Sequence, residues 1–294
     1  MIVKLTNSGT ETMKVKAFLQ ANGFSHRLVS TIKKTGQLLI NTKRVWPTDA
    51  IQPGEQLTIR LPKEKSDPHV PFSDQPLVVL FEDENWLVIN KPAGVTSVPG
   101  PSNRTDTMVN RIKGHLKRQG SQDLVPHVIT RLDRDTSGVM LIAKNKVANS
   151  LLAPQIETHT IEKRYLAVVA GQLVSAAGLI DKPLGLAADG IHREIQTTGQ
   201  QAQTKYVVQK QFPQFAVVQV QLLTGRTHQI RVHFKSIGHP LVGDALYGGP
   251  LDLGLTRQAL HAQTLKFMDP LTNQPHFFEA PLPEDMRRLI NVQK

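Results

Sequence analysis

Apolar positions follow one rhythm before residue 60 and another after residue 77. From Val15 to Leu19 and from Leu28 to Ile32 they fall at helical spacing, with Asn22-Gly23 between them as a helix stop. Leu38-Leu39-Ile40-Asn41 and Gln56-Leu57-Thr58-Ile59-Arg60 then read as short strands around a turn at Gln52-Pro53-Gly54-Glu55. Later the pattern is that of strands. Leu77–Phe81 and Trp86–Lys91 flank the charged turn Glu82–Asn85 and predict a hairpin; Val139–Ala143 is a continuous apolar run, the mark of a strand buried on both faces. Further strands are predicted at Tyr165–Val169, Ala202–Val208 and Phe215–Leu222, where Val218, Val220 and Leu222 alternate with glutamines. Residues 227–237 fit two periods: Ile230, Val232 and Phe234 suit a strand, whereas Ile230, Phe234 and Ile237 suit a helix. Gly238 and Pro240 favour the helix as a C-terminal stop, with Thr227 as its N-cap and Thr227, Arg231 and Lys235 on one face opposite most of the apolar stripe. Few long helices separate the strands, which excludes a doubly wound parallel sheet. The expected class is α+β: a mixed, mainly antiparallel sheet flanked by helices, preceded by a small α+β unit.

Between the two rhythms lie residues 63–76, and the four prolines of residues 61–76 rule out a helix or a central strand there. This segment is expected to be a semi-extended, mobile linker between a small domain at 1–62 and a large one at 77–294. Charge divides there too. The first 70 residues carry 11 Lys and Arg against 5 Asp and Glu, more than half of the net charge of +11. A basic chain with pI near 9.9 suits a nucleic acid or an anionic membrane. No apolar run reaches membrane-spanning length and no cleavable signal opens the chain, so a cytoplasmic protein with no membrane partner is expected. With no cysteine there is neither a disulfide framework nor a thiolate metal site. The spacing of His228, His233 and His239 is not that of a metalloenzyme, and no metal is expected.

Candidate chemistry concentrates in Arg131-Leu132-Asp133-Arg134-Asp135-Thr136-Ser137-Gly138-Val139. Asp133 sits between two arginines, ahead of a turn-forming Thr-Ser-Gly and the buried strand, so its carboxylate is expected on a tight loop at a strand edge. The flanking cations favour its charged form and suit a polyanionic substrate, although a surface ion pair has the same composition. A second constellation, Gly225-Arg226-Thr227-His228-Gln229-Ile230-Arg231, opens the predicted helix with enough positive charge to hold a phosphate or the carboxylate of Asp133.

Those two strings, with Lys91-Pro92-Ala93-Gly94-Val95 before them and Gly238–Gly248, Leu260-His261-Ala262 and Asp269-Pro270 after, resemble the motifs of the RluA-type pseudouridine synthases, which isomerise uridine in RNA. The resemblance runs from about residue 77 to 285. It implies the pseudouridine synthase fold, no cofactor, and an active-site role for Asp133. It aligns Tyr165 with a tyrosine that packs on the base, Arg231 with an arginine that pairs with the aspartate, and Arg131 with an arginine that contacts RNA. From the residues alone, Tyr165 is equally a core strand residue, and Arg131 equally part of a structural ion pair. Thr130 departs from the family, which often has His immediately before Arg-Leu-Asp. Asp135 is a rival carboxylate at a position the family leaves variable.

The small domain, with Thr35–Val45, resembles the RNA-binding domain named after the fourth small-subunit ribosomal protein, although Thr12–Val15 replaces that family's usual Arg-Leu-Asp. Lys14, Lys16, Arg27, Lys33, Lys34, Lys43 and Arg44 are its candidate phosphate contacts. The combined expectation is a monomeric enzyme acting on RNA, ribosomal RNA before transfer RNA. Two other readings remain open: an inactive RNA-binding protein of the same fold, and a carboxylate-dependent hydrolase that releases free base.

Overall fold

The computed structural model describes residues 2–101 and 103–291, so the extreme ends of the expected ranges 1–62 and 77–294 lie outside the described residues. In chain order the elements are β1 (Ile2–Thr6), β2 (Met13–Lys14), α1 (Val15–Ala21), α2 (His26–Thr35), β3 (Gln37–Ile40), β4 (Lys43–Val45), β5 (Ala50–Ile51) and β6 (Gln56–Arg60). After the linker come β7 (Val79–Glu82), β8 (Trp86–Lys91), α3 (Met108–Arg118), β9 (His127–Val128), β10 (Ser137–Ala143), α4 (Lys146–Glu157) and β11 (Glu162–Ala170). Then follow β12 (Ala177–Asp181), β13 (Leu184–Leu186), β14 (Arg193–Ile195), β15 (Gln203–Gln211), β16 (Phe215–Leu222), α5 (Gln229–Ser236), β17 (Leu260–Met268), β18 (Pro275–Glu279) and α6 (Glu284–Asn291).

The first unit is an antiparallel sheet in the order β1-β6-β3-β4, packed against α1 and α2. Alternation in β6 turns Leu57 and Ile59 inward, where they meet Phe18, Leu19 and Ile32 from the helices. The Ser25 hydroxyl caps α2 by accepting from the Leu28 N–H at 3.2 Å. Val147 and Leu151 of α4 join the same apolar cluster, so a helix of the large unit helps to close it.

The large sheet has ten strands, ordered β12-β15-β16-β11-β17-β10-β8-β7, with β18 added to β17 and β9 to β10. Every pairing is antiparallel except β10 with β17, which run parallel over Ser137↔His261 and Gly138↔Ala262. The α+β class and mixed sheet are therefore as the sequence predicts. All seven residues of β10 are buried. Met140 and Ile142 pack with Met108, Ile112 and Leu116 of α3, whereas Val139 and Leu141 pack with Ala148 and Leu152 of α4. Helices on both faces are why this strand is apolar throughout instead of alternating.

Two residues fix the loop that leads into β10. Gly138 has φ +116°, and a Cβ there would lie 2.1 Å from the Ala262 carbonyl oxygen, so only glycine lets β10 and β17 approach. Lys91, at the end of β8, is completely buried. Its Nζ donates to the carbonyls of Pro92, Arg134 and Thr136 at 2.8, 2.8 and 2.9 Å, using all three N–H donors of an ammonium. Burial pulls its pKa down to about 7, opposed by the carboxylates of Asp135 and Asp133.

Residues 61–78 contain no helix or strand, as their prolines predict, and contacts to the large unit fasten them along their length. Glu64 pairs with His127 at 3.0 Å and accepts from the Lys146 N–H at 2.9 Å; Asn110 of α3 donates to the Pro71 carbonyl at 2.8 Å. Phe72 lies under the ammonium groups of Lys113 and Lys117, and Gly114 lets the Ser73 carbonyl come so close that a Cβ would lie 1.9 Å from its oxygen. Proline removes backbone donors, yet the carbonyls it leaves are good acceptors for side chains of α3, and sequence pattern does not show those partners.

Replacing Gly138 with Ala is expected to cost about 3 kcal/mol through overpacking at the β10–β17 junction. Lys91→Met, which removes the donor to three carbonyls, that of Thr136 buried, is expected to cost about 1–3 kcal/mol. Urea unfolding of both variants measures this; midpoints matching wild type would show that the loop does not depend on either residue.

Candidate active site

The loop ahead of β10 carries Asp133 into a cavity of about 580 Å³ whose walls include Arg131, Tyr165, His228 and Arg231. Its backbone is fixed from below. Ser97 Oγ accepts the Leu132 N–H at 3.0 Å and donates to the Leu132 carbonyl at 2.5 Å, while the Thr136 N–H closes a turn onto the Asp133 carbonyl at 3.1 Å. Leu132 points into the core and Asp133 toward the cavity, its side chain one-quarter exposed. Thr130 has a structural task, its hydroxyl accepting the Leu141 N–H at 2.9 Å at the edge of β10.

The cation beside Asp133 is not a sequence neighbour. Arg231 Nη1 lies 3.6 Å from Asp133 Oδ2, and its other edge is held by Asp244, with Nε–Oδ2 and Nη2–Oδ1 both 2.7 Å. Arg231 and Asp244 are both buried. Burial opposes the charge on Arg231, but the hydrogen bonds and charge of Asp244, helped by Asp133, outweigh it and raise the guanidinium pKa. A bidentate clamp of this kind fixes the guanidinium plane, so the remaining Nη1 can point in only one direction. Neither Arg131 nor Arg134 forms an ion pair with Asp133 among the described residues. Arg131 is exposed at the cavity rim, and Arg134 reaches the Gly94 carbonyl instead. Electrostatic support from the flanking arginines, suggested by composition, therefore comes from α5.

Helix α5 also departs from its expected start. It begins at Gln229, and His228 occupies the N-cap position at φ +58°, so Thr227 is not the cap. Gln229 does the anchoring. Its Oε1 accepts from Thr224 Oγ1 and the Arg226 N–H at 2.8 and 3.0 Å, and its Nε2 donates to the Gln203 carbonyl and Thr204 Oγ1 at 2.9 and 3.0 Å. Arg231 turns inward, not outward with Lys235, because Asp244 waits behind it. His228 Nδ1 lies 2.8 Å from the Tyr247 hydroxyl, and burial lowers its pKa against the pull of Asp133. The Arg231 guanidinium rests 4.8 Å from the Tyr247 ring centroid.

Tyr165 lines the cavity and also belongs to the core cluster. Pairing of β11 with β17 slips between Arg164 and Tyr165, a bulge beside the residue that lines the cavity. Burial, and then the charge of Asp133, push its phenol well above the usual tyrosine range, which keeps it protonated. Asp135 does not line the cavity; its carbonyl accepts from Arg257 at 3.0 Å. Asp244, Tyr247 and Lys163 are the site residues that sequence reading left without a role. Asp244 and Tyr247 lie in the quoted string Gly238–Gly248, so their positions were in view but their partner was not.

His233 bonds Thr204 Oγ1 and the Lys182 carbonyl, and His239 bonds the Ala170 carbonyl. Among the described residues no group of three or more His, Asp or Glu side chains is placed to hold a metal ion, and no helix is long and apolar enough to cross a membrane. Lys14, Lys16, Arg27, Lys33, Lys34, Lys43 and Arg44 lie outside the cavity, in the first unit. All seven are exposed, and none has an acidic partner within ion-pair distance among the described residues.

Residues 85–236 match the family model described as RNA pseudouridylate synthase. The chain is 41% identical over 280 residues to the Bacillus subtilis (strain 168) protein called Uncharacterized RNA pseudouridine synthase YjbO, covering 95% of this chain and 98% of that one. It is 38% identical over 285 residues to Ribosomal large subunit pseudouridine synthase D of Xanthomonas campestris pv. campestris, covering 92% and 85% respectively. Human RNA Pseudouridylate Synthase Domain Containing 4 shares the fold, with TM-score 0.61 and 24% identity over 72% of this chain and 91% of that one. Matched by the family model over half its length and by full-length relatives at about 40% identity, the chain belongs to the RNA pseudouridylate synthase family, and its enzyme class is RNA pseudouridine synthase.

Proposed function

We propose that this protein converts a specific uridine of structured RNA, ribosomal before transfer RNA, to pseudouridine, with Asp133 as the reacting carboxylate. One observation carries the reading. Asp133 opens into a cavity large enough for a single flipped nucleotide, and a buried arginine that is itself clamped by Asp244 faces it from behind at 3.6 Å. Ribosomal RNA is favoured because relatives at 38% identity are named large-subunit ribosomal pseudouridine synthases.

In the conversion the ribose C1′–N1 bond breaks and a C1′–C5 bond forms. The proton leaves C5 and N1 gains one, so composition is unchanged and neither oxidant nor energy source is consumed. Detachment leaves C1′ electron-poor, and an ionised carboxylate beside it stabilises that centre covalently or by charge. Tyr165, kept neutral by burial, offers a flat apolar wall on which the detached uracil turns without escaping. Arg131 at the rim contacts the RNA backbone. Residues 1–62 supply the sequence-independent grip through the seven exposed cations, and 77–294 the chemistry. The protein works as a cytoplasmic monomer.

Asp133→Asn preserves shape and is expected to lower pseudouridine formation at least about a thousandfold while RNA affinity stays within about threefold. Nucleoside digestion with chromatography, beside filter binding, separates the two; turnover near wild type would eliminate the proposed role. Arg231→Met leaves Asp244 buried and unpaired, and is expected to cost about 3–5 kcal/mol in chemical unfolding as well as activity. The target uridine is found by comparing carbodiimide-reactive sites in ribosomal RNA from strains with and without the gene. No lost site in either ribosomal subunit would redirect the assignment to another RNA.

A further inference from the structure

The two tryptophans of the chain live in opposite environments. Trp86 is fully buried in the large sheet, whereas Trp46 in the basic unit is 50% exposed. Leaving half an indole in water forgoes part of a large apolar contribution that a stacked ligand would recover. The Trp46 backbone is fixed in a turn: its main-chain N–H donates to Asp49 Oδ2 at 2.8 Å, and its carbonyl accepts the Asp49 N–H at 3.0 Å. The Asp49 carboxylate, the acid on this turn, is thereby engaged with the backbone.

Around the indole the charges are positive. Arg44 places its guanidinium 4.9 Å from the ring centroid. Lys33, at the end of α2, lines with Ile32, Leu38, Val45 and Pro47 a shallow cleft of which Arg44 and Trp46 form another side. The Lys16 main-chain N–H donates to the Pro47 carbonyl at 2.9 Å, which brings the start of α1 to the same turn. Arg44, Lys33 and Lys16 are exposed, with no acidic partner within ion-pair distance among the described residues. An apolar cleft beside a half-exposed indole, with cations at its margin, fits a ligand with a flat apolar face and a negative charge.

We propose that Trp46 is a stacking platform for an unpaired nucleotide of the RNA, with Arg44, Lys33 and Lys16 holding the adjacent phosphates. This deepens the RNA-modifying reading and rests on it, adding a second point of attachment on a different sheet from the cavity. Stacking tolerates any base, so the platform contributes affinity and register, while choice of uridine stays with the cavity. Two linked contacts also raise the effective concentration of the target at the cavity.

Because Trp86 is buried, Trp46 dominates any change in tryptophan emission caused by a surface ligand. Titrating the full-length protein with a short oligocytidylate, which contains no uridine, is expected to quench that emission, and a duplex of equal length to quench it much less. Trp46→Leu is expected to abolish the quenching and weaken oligocytidylate binding by filter assay about tenfold. Trp46→Phe, which keeps a ring, should stay within about threefold of wild type. Unchanged emission at saturating oligocytidylate, equal quenching by inorganic polyphosphate, or unchanged affinity in Trp46→Leu would each overturn the proposal. Circular dichroism melting confirms that the variants fold. Failure of the Asp133 assignment is read separately, from pseudouridine formation, and leaves these binding results untouched.

Discussion

A buried ammonium makes the site possible. The proposed reacting carboxylate sits on a loop that ends in a strand buried on both faces, and such a loop brings polar backbone into a region with no water. Unpaired carbonyls there would cost more than the loop could recover from packing. Lys91 removes the conflict by donating to three carbonyls at once, two of them on the loop itself and one at the exit of β8. The same contact ties the hairpin of β7 and β8 to the cavity, so the loop inherits the rigidity of the sheet.

On that fixed loop, charge is arranged in series. Asp244 orients Arg231, and Arg231 orients Asp133, each step taking one edge of a planar group. Around Asp133 the cavity wall carries the cations Arg131, Arg134, Lys163, Arg226 and Arg231, a lining whose balance of charge suits a polyanion.

The linker and α5 show where pattern reading stops. Proline-rich composition correctly excluded helix and strand at 63–76 but not attachment, because carbonyl acceptors remain when N–H donors are lost. At α5 the helix itself was legible from Ile230, Phe234 and Gly238. Its first residue was not, since Gln229 spends its side chain on strands β15 and β16 and their exits, and leaves His228 in a left-handed conformation. The bulge before Tyr165 left no trace in the hydrophobic alternation of β11.

By itself the sequence determined the α+β class, the two helices and two of the strands of the basic first unit, and the strands and helix that frame the site, β7, β8, β10, β11, β15, β16 and α5. These follow from local period, turn chemistry and composition, which act between near neighbours in the chain; the candidacy of Tyr165 and Arg231 came from the resemblance of their motifs to a known family. Tertiary structure alone decided that Arg231 and not Arg131 or Arg134 stands beside Asp133, that Asp244 clamps it, and that Lys91 holds the loop from beneath. It also decided that Asp135 faces away from the cavity. The physical reason is separation: Arg231 lies 98 positions from Asp133 and Asp244 13 from Arg231, beyond the reach of local pattern, and only the folded sheet and its helices bring them within a few ångströms.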